Sequence, residues 1–99
     1  MNRSLTPAAS RFGENVRRAR MDLGLSQESI AELAQMHVTN YGKIERGIAN
    51  PSLTTILRIA SVLGTDVATL TEGLSGDYLP AVFVVLTAAE FLDVRAGRR

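Results

Sequence analysis

The feature that most constrains this chain is the spacing of its apolar residues between positions 10 and 74. They recur at intervals of three and four, as in Phe12, Val16, Ala19 and Leu23, which is the period of one face of an α-helix. Residues that begin or end helices interrupt the recurrence at short intervals. The pattern therefore predicts five short helices with tight connections, which pack as an all-α bundle.

Turn and capping residues place the predicted boundaries of these helices. Ser10 is a plausible cap for the first helix, because Thr6-Pro7 is expected to block an earlier start and to leave residues 1–9 as a flexible arm. Gly24 should end that helix. The other predicted starts are Ser26, Asn50-Pro51-Ser52 and Asp66, with buried stripes formed by Ile30, Leu33 and Ala34 in the second helix and by Leu53, Ile56, Leu57, Ala60 and Leu63 in the fourth.

The composition changes after residue 75, where residues 78–94 read YLPAVFVVLTAAEFLDV. The β-branched and aromatic run at 82–85 favours a strand, whereas Pro80 and the alanines that follow favour a helix. We favour the helix and expect it to be covered by a partner subunit, because it is apolar nearly all round. Residues 75–99 are thus predicted to be a dimerisation segment with a frayed basic end. The residues expected to contact the same segment of a second subunit are Leu79, Val82, Phe83, Val85, Leu86 and Phe91.

Composition argues against several classes of function. The chain has no cysteine and one histidine, His37, so we expect no disulfide, no metal site and no cofactor. There is no glycine-rich phosphate loop and no base for a serine nucleophile, so we do not expect an enzyme. The longest apolar stretch, Leu79 to Leu86, is far shorter than the ~20 residues that span a bilayer. These features predict a cytoplasmic protein without a membrane partner.

Three short motifs carry a family resemblance: S-Q-E at 26–28, I-E-R-G at 44–47 and N-P-S-L at 50–53. Together they resemble the helix-turn-helix proteins of the Xre/Cro/phage-repressor family. The resemblance covers about residues 10–73 and implies a five-helix, lambda-repressor-like DNA-binding domain over residues 10–74. It further implies that residues 27–35 form the supporting helix and residues 37–46 the recognition helix, which enters the major groove.

The resemblance assigns roles to individual residues. The outward positions of the recognition helix are expected to contact bases: Val38, Thr39, Asn40 and Lys43. Their chemistry suits this, since Asn pairs with adenine, Lys donates to guanine or to a phosphate, and methyl groups contact thymine. The expected phosphate contacts are Gln27, His37, Arg46, Asn50 and Arg17.

Other positions are expected to be structural. Arg20 and Glu45 resemble the family's buried ion pair, which ties the first helix to the recognition helix. Tyr41 and Ile44 should point inward. The family often has Gly where Gln35 stands, because that residue tends to be left-handed, and Gln there would cost about 1 kcal/mol of strain.

Three further departures from the family concern the recognition helix and the residues after it. His37 should cap that helix poorly. Gly42 should weaken it by about 1 kcal/mol, and we expect the missing side chain to admit a backbone at close range. Ile48-Ala49 stand where basic residues are frequent, so tight binding by a single subunit is not expected.

The net charge of only +1 means that DNA affinity must come from the placement of charge. We interpret the chain as a sequence-specific regulator of transcription, of the repressor type, that reads an inverted-repeat operator in double-stranded DNA as a homodimer. Two alternatives stay open. One is an antitoxin or restriction–modification controller that regulates its own operon, whose apolar tail covers a small protein such as a toxin in the antitoxin case. The other is a protein-interaction module that has lost DNA binding.

Overall fold

The computed structural model describes residues 6–97, and over this range it is helical with no β-strand. Five helices form the bundle and a sixth stands apart from it, which confirms the predicted all-α class. The bounds are α1 Pro7–Asp22, α2 Gln27–Leu33, α3 Val38–Glu45, α4 Leu53–Leu63, α5 Val67–Leu70 and α6 Ala88–Arg95, with a 3₁₀ turn at Gly76–Tyr78.

The start of α1 differs from the prediction. The helix begins at Pro7, and the Thr6 hydroxyl caps it by accepting the Ala9 N–H at 3.0 Å. Proline favours the first helical position because its missing N–H has no partner there in any case. The prediction of a flexible arm over residues 1–9 was therefore wrong for residues 7–9. Residues 1–5 of that arm, and Arg98-Arg99 of the predicted frayed end, lie outside the described range.

The remaining caps are confirmed. Ser26, Ser52 and Asp66 each accept the backbone N–H of the residue three positions on, at 3.1, 3.2 and 2.8 Å. Each bond satisfies one of the free amide groups at a helix start. The bundle therefore has its helix starts where short polar side chains precede apolar stripes.

The core lies where α1 packs against α3 and α5 while α2 packs against α3 and α4. Its largest fully buried side chains are Tyr41, Ile30, Ile59, Leu70 and Val16. Between α1 and α5, the buried Asn15 amide donates to the carbonyls of Leu70 at 2.9 Å and Glu72 at 3.2 Å. One buried side chain thus satisfies the C-terminal end of a helix of four residues.

Four leucines that were predicted to be buried are exposed. They are Leu23, Leu33, Leu53 and Leu57, and 50–66% of each is accessible. Ala31 and Ile59 occupy the buried positions instead. The apolar arcs of α2 and α4 are wider than the strip that the neighbouring helices cover, so packing selects one edge of each arc.

The C-terminal segment is only partly helical, which corrects the prediction that it forms a helix beginning at Pro80. Residues 83–87 have no regular structure, and α6 begins at Ala88 after a capping box formed by Thr87 and Glu90. The β-branched run resists helix because its side chains lose rotamer freedom there, and the capping box places the helix start after the run.

This segment also lies outside the bundle. No described residue beyond Leu70 is buried. The radius of gyration is 16.8 Å, whereas a compact chain of this length has about 13 Å. None of the described helices is long and apolar enough to cross a membrane.

Candidate nucleic-acid interface

Helix α3 separates its side chains into an outward and an inward set. Val38, Thr39, Asn40 and Lys43 are exposed on the outer face. Tyr41 and Ile44 are buried beneath them, with 0% and 3% of their surface accessible. The inward positions agree with the prediction. The outer face consequently presents an amide, a hydroxyl and an ammonium group from a helix that is anchored in the core.

The turn between α2 and α3 is held by a residue that the sequence analysis did not select. Gln35 has φ 58°, the one non-glycine residue in the described range with positive φ. The guanidinium of Arg58, on α4, donates to the Ala34 carbonyl and, at 2.7 Å, to the Gln35 carbonyl. A cation at the C-terminal end of α2 is favourable because the helix dipole is negative there. Arg58 therefore stabilises the left-handed turn that Gly would otherwise favour.

A cluster of polar side chains joins α1, α2 and α3 to one another. Arg20 Nε donates to Glu45 Oε2 at 2.7 Å, and Arg20 Nη2 donates to Glu45 Oε1 at 3.0 Å. Gln27 Nε2 donates to Glu45 Oε1 at 2.9 Å. The side chains of Arg20 and Glu45 are 13% and 2% accessible. This two-pronged geometry fixes the angle of α3 relative to α1 and α2.

The electrostatics of the cluster follow from burial and from these hydrogen bonds. Burial alone would raise the pKa of Glu45, but the donors Arg20 and Gln27 lower it below its usual value. The same pairing raises the pKa of Arg20. The hydroxyl of Tyr41 is buried beside the pair without a hydrogen bond of its own, and its burial raises its pKa. The carboxylate is therefore neutralised by Arg20 and does not offset the exposed cations around α3.

Two clefts flank α3 and contain the predicted phosphate contacts. The first is lined by Arg17, Gln27 and Arg46 together with the Arg20–Glu45 pair. The second is lined by His37, Asn40, Lys43, Asn50 and neighbouring residues of the α3–α4 loop. The residues predicted to contact bases or phosphates thus lie on α3 or beside it, although they come from four parts of the chain.

The comparisons with known proteins agree with this geometry. The helix-turn-helix family model HTH_3 matches residues 16–70, which is more than half of the chain. The chain belongs to this helix-turn-helix family. The resemblance to Xre-type proteins is confirmed, and the match contains all five helices of the bundle except the start of α1.

Two curated relatives match stretches of similar length in this helix-turn-helix protein. Control protein C.SmaI of Serratia marcescens is 42% identical over 59 residues, 60% of this chain and 70% of the relative. The SPbeta prophage-derived uncharacterized HTH-type transcriptional regulator YonR of Bacillus subtilis is 34% identical over 62 residues, 63% of this chain. This chain spans just over half of YonR, 57%. Both names describe regulators or controllers and neither describes an enzyme.

A solved structure shows the same helix-turn-helix arrangement. The restriction-modification controller protein C.AhdI from Aeromonas hydrophila superposes with a TM-score of 0.62 at 37% identity. The superposition covers 94% of that protein but 63% of this chain. More than a third of this chain is thus additional to the part that the two proteins share.

Two glycines of this helix-turn-helix domain have different surroundings. A Cβ on Gly42 would meet side-chain atoms of Arg46 at 3.0 Å and Gln27 at 3.5 Å, so the predicted approach of a backbone at Gly42 was wrong. The close approach occurs at Gly13 of α1, where a Cβ would lie 2.4 Å from the Ile44 carbonyl oxygen. Gly13 is inside a helix and had no sequence signal, because the backbone that it admits comes from another helix.

The His37 position also agrees with expectation. This residue caps α3 with extended backbone and forms no side-chain capping bond. The first amide groups of α3 thus receive no bond from the His37 side chain, which lines the second cleft. Among the described residues no group of His, Asp or Glu has the arrangement of a metal site.

Proposed function

We propose that this protein is a sequence-specific regulator of transcription that binds double-stranded DNA as a homodimer and represses the genes beside its operator. The observation that supports this most directly is the outward display of Thr39, Asn40 and Lys43 from a helix fixed by Tyr41 and Ile44. Regulators and controllers among the relatives support the same function. Such a protein would act on chromosomal DNA within the nucleoid.

In the proposed complex, α3 lies in the major groove. Asn40 accepts from and donates to the N6/N7 edge of an adenine, and Lys43 donates to guanine O6/N7 or to a phosphate. The methyl group of Thr39 and the side chain of Val38 contact thymine methyl groups. Sequence reading is thus assigned to the first half of α3 and to Lys43.

Phosphate binding is assigned to the two clefts. Arg17 and Arg46 are exposed and line the same cleft as Gln27. Gln27 keeps one amide hydrogen for a phosphate after donating the other to Glu45. On the other side, His37 and Asn50 line the cleft beside Lys43. Contacts on both sides of α3 would set its depth and direction in the groove.

The homodimer is proposed because one α3 helix reads only a few base pairs and few cations surround it. The segment over residues 75–99 supplies exposed apolar side chains for such a contact, with 41–85% of each accessible: Leu79, Val82, Phe83, Val85, Leu86 and Phe91. A two-fold dimer would present two α3 helices about 34 Å apart, on successive major grooves. The expected operator is an inverted repeat.

A narrower candidate is a controller protein of a restriction–modification operon. The likeness to C.SmaI and C.AhdI favours this candidate, since both of those proteins are named as control proteins. It changes the regulated genes but not the mode of DNA binding.

The proposal is tested by selecting preferred sites from a random duplex library and titrating the best site in gel-shift assays. We expect an inverted repeat, and scrambling one half-site should weaken binding strongly. Affinity should also fall steeply with salt, because each phosphate contact releases a counterion. Unchanged affinity after scrambling one half-site would contradict the dimer. Absence of duplex binding at low salt would contradict DNA binding itself and favour a protein-interaction module.

A further inference from the structure

The run Val82–Leu86 begins in a turn at Val82 and continues without regular structure to the cap of α6. Val82 and Val84 are 85% and 97% accessible. Within the described part of the chain, the Phe83 N–H donating to Pro80 O at 2.9 Å is the one backbone hydrogen bond recorded for this run. Five consecutive apolar residues thus have exposed side chains, and all but one of their backbone N–H groups lack a backbone hydrogen bond within the described chain.

This composition is that of a strand interior. Val, Phe and Leu without charge or proline favour pleated structure, and natural proteins protect such exposed edges with lysine, proline or a covering element. None of these protections occurs at 82–86. The described residues contain no strand that could pair with the run, and a second copy of the chain would supply one.

We infer that Val82–Leu86 pairs with the same segment of a second copy as a two-stranded antiparallel ribbon centred on Val84. This inference rests on the homodimer of the proposed function and specifies how the two copies join. The antiparallel pair is self-complementary about a two-fold axis, and it places Val84 opposite the partner's Val84 and Val82 opposite the partner's Leu86. Only this register pairs all five residues. Like charges do not meet in it, because the run has none.

Helix α6 supplies the cover that such a ribbon needs, since an isolated hairpin-like pair is marginally stable in water. Phe91, Leu92 and Val94 of α6 are 48–57% accessible. With the apolar residues of the run and Leu79, they expose an area on the order of the ~800 Å² that each partner buries in a standard interface. The apolar run and the short helix together therefore offer enough surface for a specific dimer.

A second apolar surface provides the competing interface. Leu33, Leu53 and Leu57 are exposed on α2 and α4, but their backbone groups are paired within helices. The C-terminal run is favoured over this surface because it leaves both apolar side chains and backbone donors and acceptors without protein partners.

The test begins with charges placed on the proposed axis. Full-length Val84→Lys and Val84→Glu should each be monomeric by light scattering at concentrations where the parent is a dimer, because like charges would lie directly opposite. An equimolar mixture of the two should regain the dimer mass. Leu53→Lys is the matched control and should stay dimeric. Dimeric Val84→Lys, or monomeric Leu53→Lys, would overturn the inference.

The register is tested by disulfide formation, which is clean because the chain has no cysteine. Opposed residues of an antiparallel pair have Cα atoms about 4.5–5.5 Å apart, within the range that a disulfide spans. Val84→Cys should form covalent dimers on mild oxidation. Val82→Cys should form them only when mixed with Leu86→Cys. Efficient dimers of Val82→Cys alone, or none of Val84→Cys, would contradict the register.

These outcomes are independent of DNA binding. If half-site scrambling shows dimeric binding while Val84→Cys does not cross-link, the ribbon is wrong and the proposed function stands. If Val84→Cys cross-links but no duplex is bound, the ribbon stands and the proposed function fails. A parent protein that is monomeric alone would overturn both the homodimer and the ribbon, and a requirement for a second polypeptide would point to a heterologous partner.

Discussion

The side chain of Glu45 links three helices of the helix-turn-helix domain. It belongs to α3 and accepts hydrogen bonds from Arg20 of α1 and Gln27 of α2. Its carboxylate is almost fully buried, so removal of Glu45 or of Arg20 would leave the charge of the other residue without compensation. The orientation of the proposed reading helix therefore depends on one ion pair.

We expect Glu45→Gln to lower the free energy of unfolding by about 3 kcal/mol at neutral pH, because Arg20 would keep a buried charge without its partner. Since the pKa of Glu45 is lowered on folding, its contribution is complete above the unfolded-chain pKa of about 4.3 and is lost as the pH falls through the folded-state value. The gap between parent and variant in urea unfolding should therefore narrow in acid. A gap that stays constant to about pH 3 would contradict this role, and Glu28→Gln, which changes an exposed carboxylate, is the control.

Replacement of Lys43 should weaken DNA binding without lowering the stability of the fold. Because it is exposed on α3, Lys43→Ala should leave the thermal midpoint nearly unchanged. It should weaken operator binding by about 1–3 kcal/mol if the ammonium contacts a base, or reduce the salt slope by about one if it contacts a phosphate.

Gel-shift titration at several salt concentrations distinguishes these two results for Lys43. Arg18→Ala removes the same charge from α1, at a position that lines neither cleft beside α3, and serves as the control. Equal losses in the two variants would mean that net charge, and not position, determines the affinity.

At the scale of elements, the packing of α1 on α3 depends on a glycine and the stability of α3 is reduced by another. Gly13 admits the C-terminal backbone of α3 at a distance that excludes a methyl group, whereas Gly42 faces the flexible end of Arg46. The two positions are both helical, so intrinsic propensity treats them alike. Because their surroundings differ, alanine at these two positions should change the free energy of unfolding in opposite directions.

We predict that Gly42→Ala raises the free energy of unfolding by up to about 1 kcal/mol, because alanine favours helix and Arg46 can move aside. Gly13→Ala should instead lower it by about 1–3 kcal/mol, because backbone must shift to accept the methyl group. Urea unfolding of the two variants measures both effects. Equal signs for the two variants would show that the α1–α3 contact does not govern the outcome.

At the scale of the whole molecule, the core ends at Leu70, and none of the described residues from 71 to 97 is buried. Folding and assembly are therefore assigned to different parts of the chain. The bundle depends on its own core, and the proposed dimer depends on residues 79–94.

A chain that stops after Gly76 should unfold with a free energy within about 1 kcal/mol of the parent monomer, because none of its core contacts are lost. It should be monomeric in light scattering and should bind the operator much more weakly, with little dependence on the second half-site. Retention of the dimer mass after this truncation would place the interface within the bundle.

Much of this protein was predictable from residues acting locally. Helix starts follow from Ser26, Ser52 and Asp66, since a cap acts within three residues of itself. The inward placement of Tyr41 and Ile44 follows from helical periodicity. The family motifs assign α3 as the proposed reading helix because they combine such local signals at fixed spacing.

What the tertiary structure alone decided are contacts between distant residues. Arg58 of α4 donates a hydrogen bond to the carbonyl of Gln35 in the turn before α3. Asn15 of α1 donates to the Leu70 carbonyl at the end of α5, and Gly13 of α1 leaves room for the backbone of α3. The buried edge of α4 is likewise selected by its neighbours, since periodicity allows either edge of a wide apolar arc. Local propensity states what each segment can become, whereas burial and hydrogen-bond satisfaction across the chain select which possibility forms.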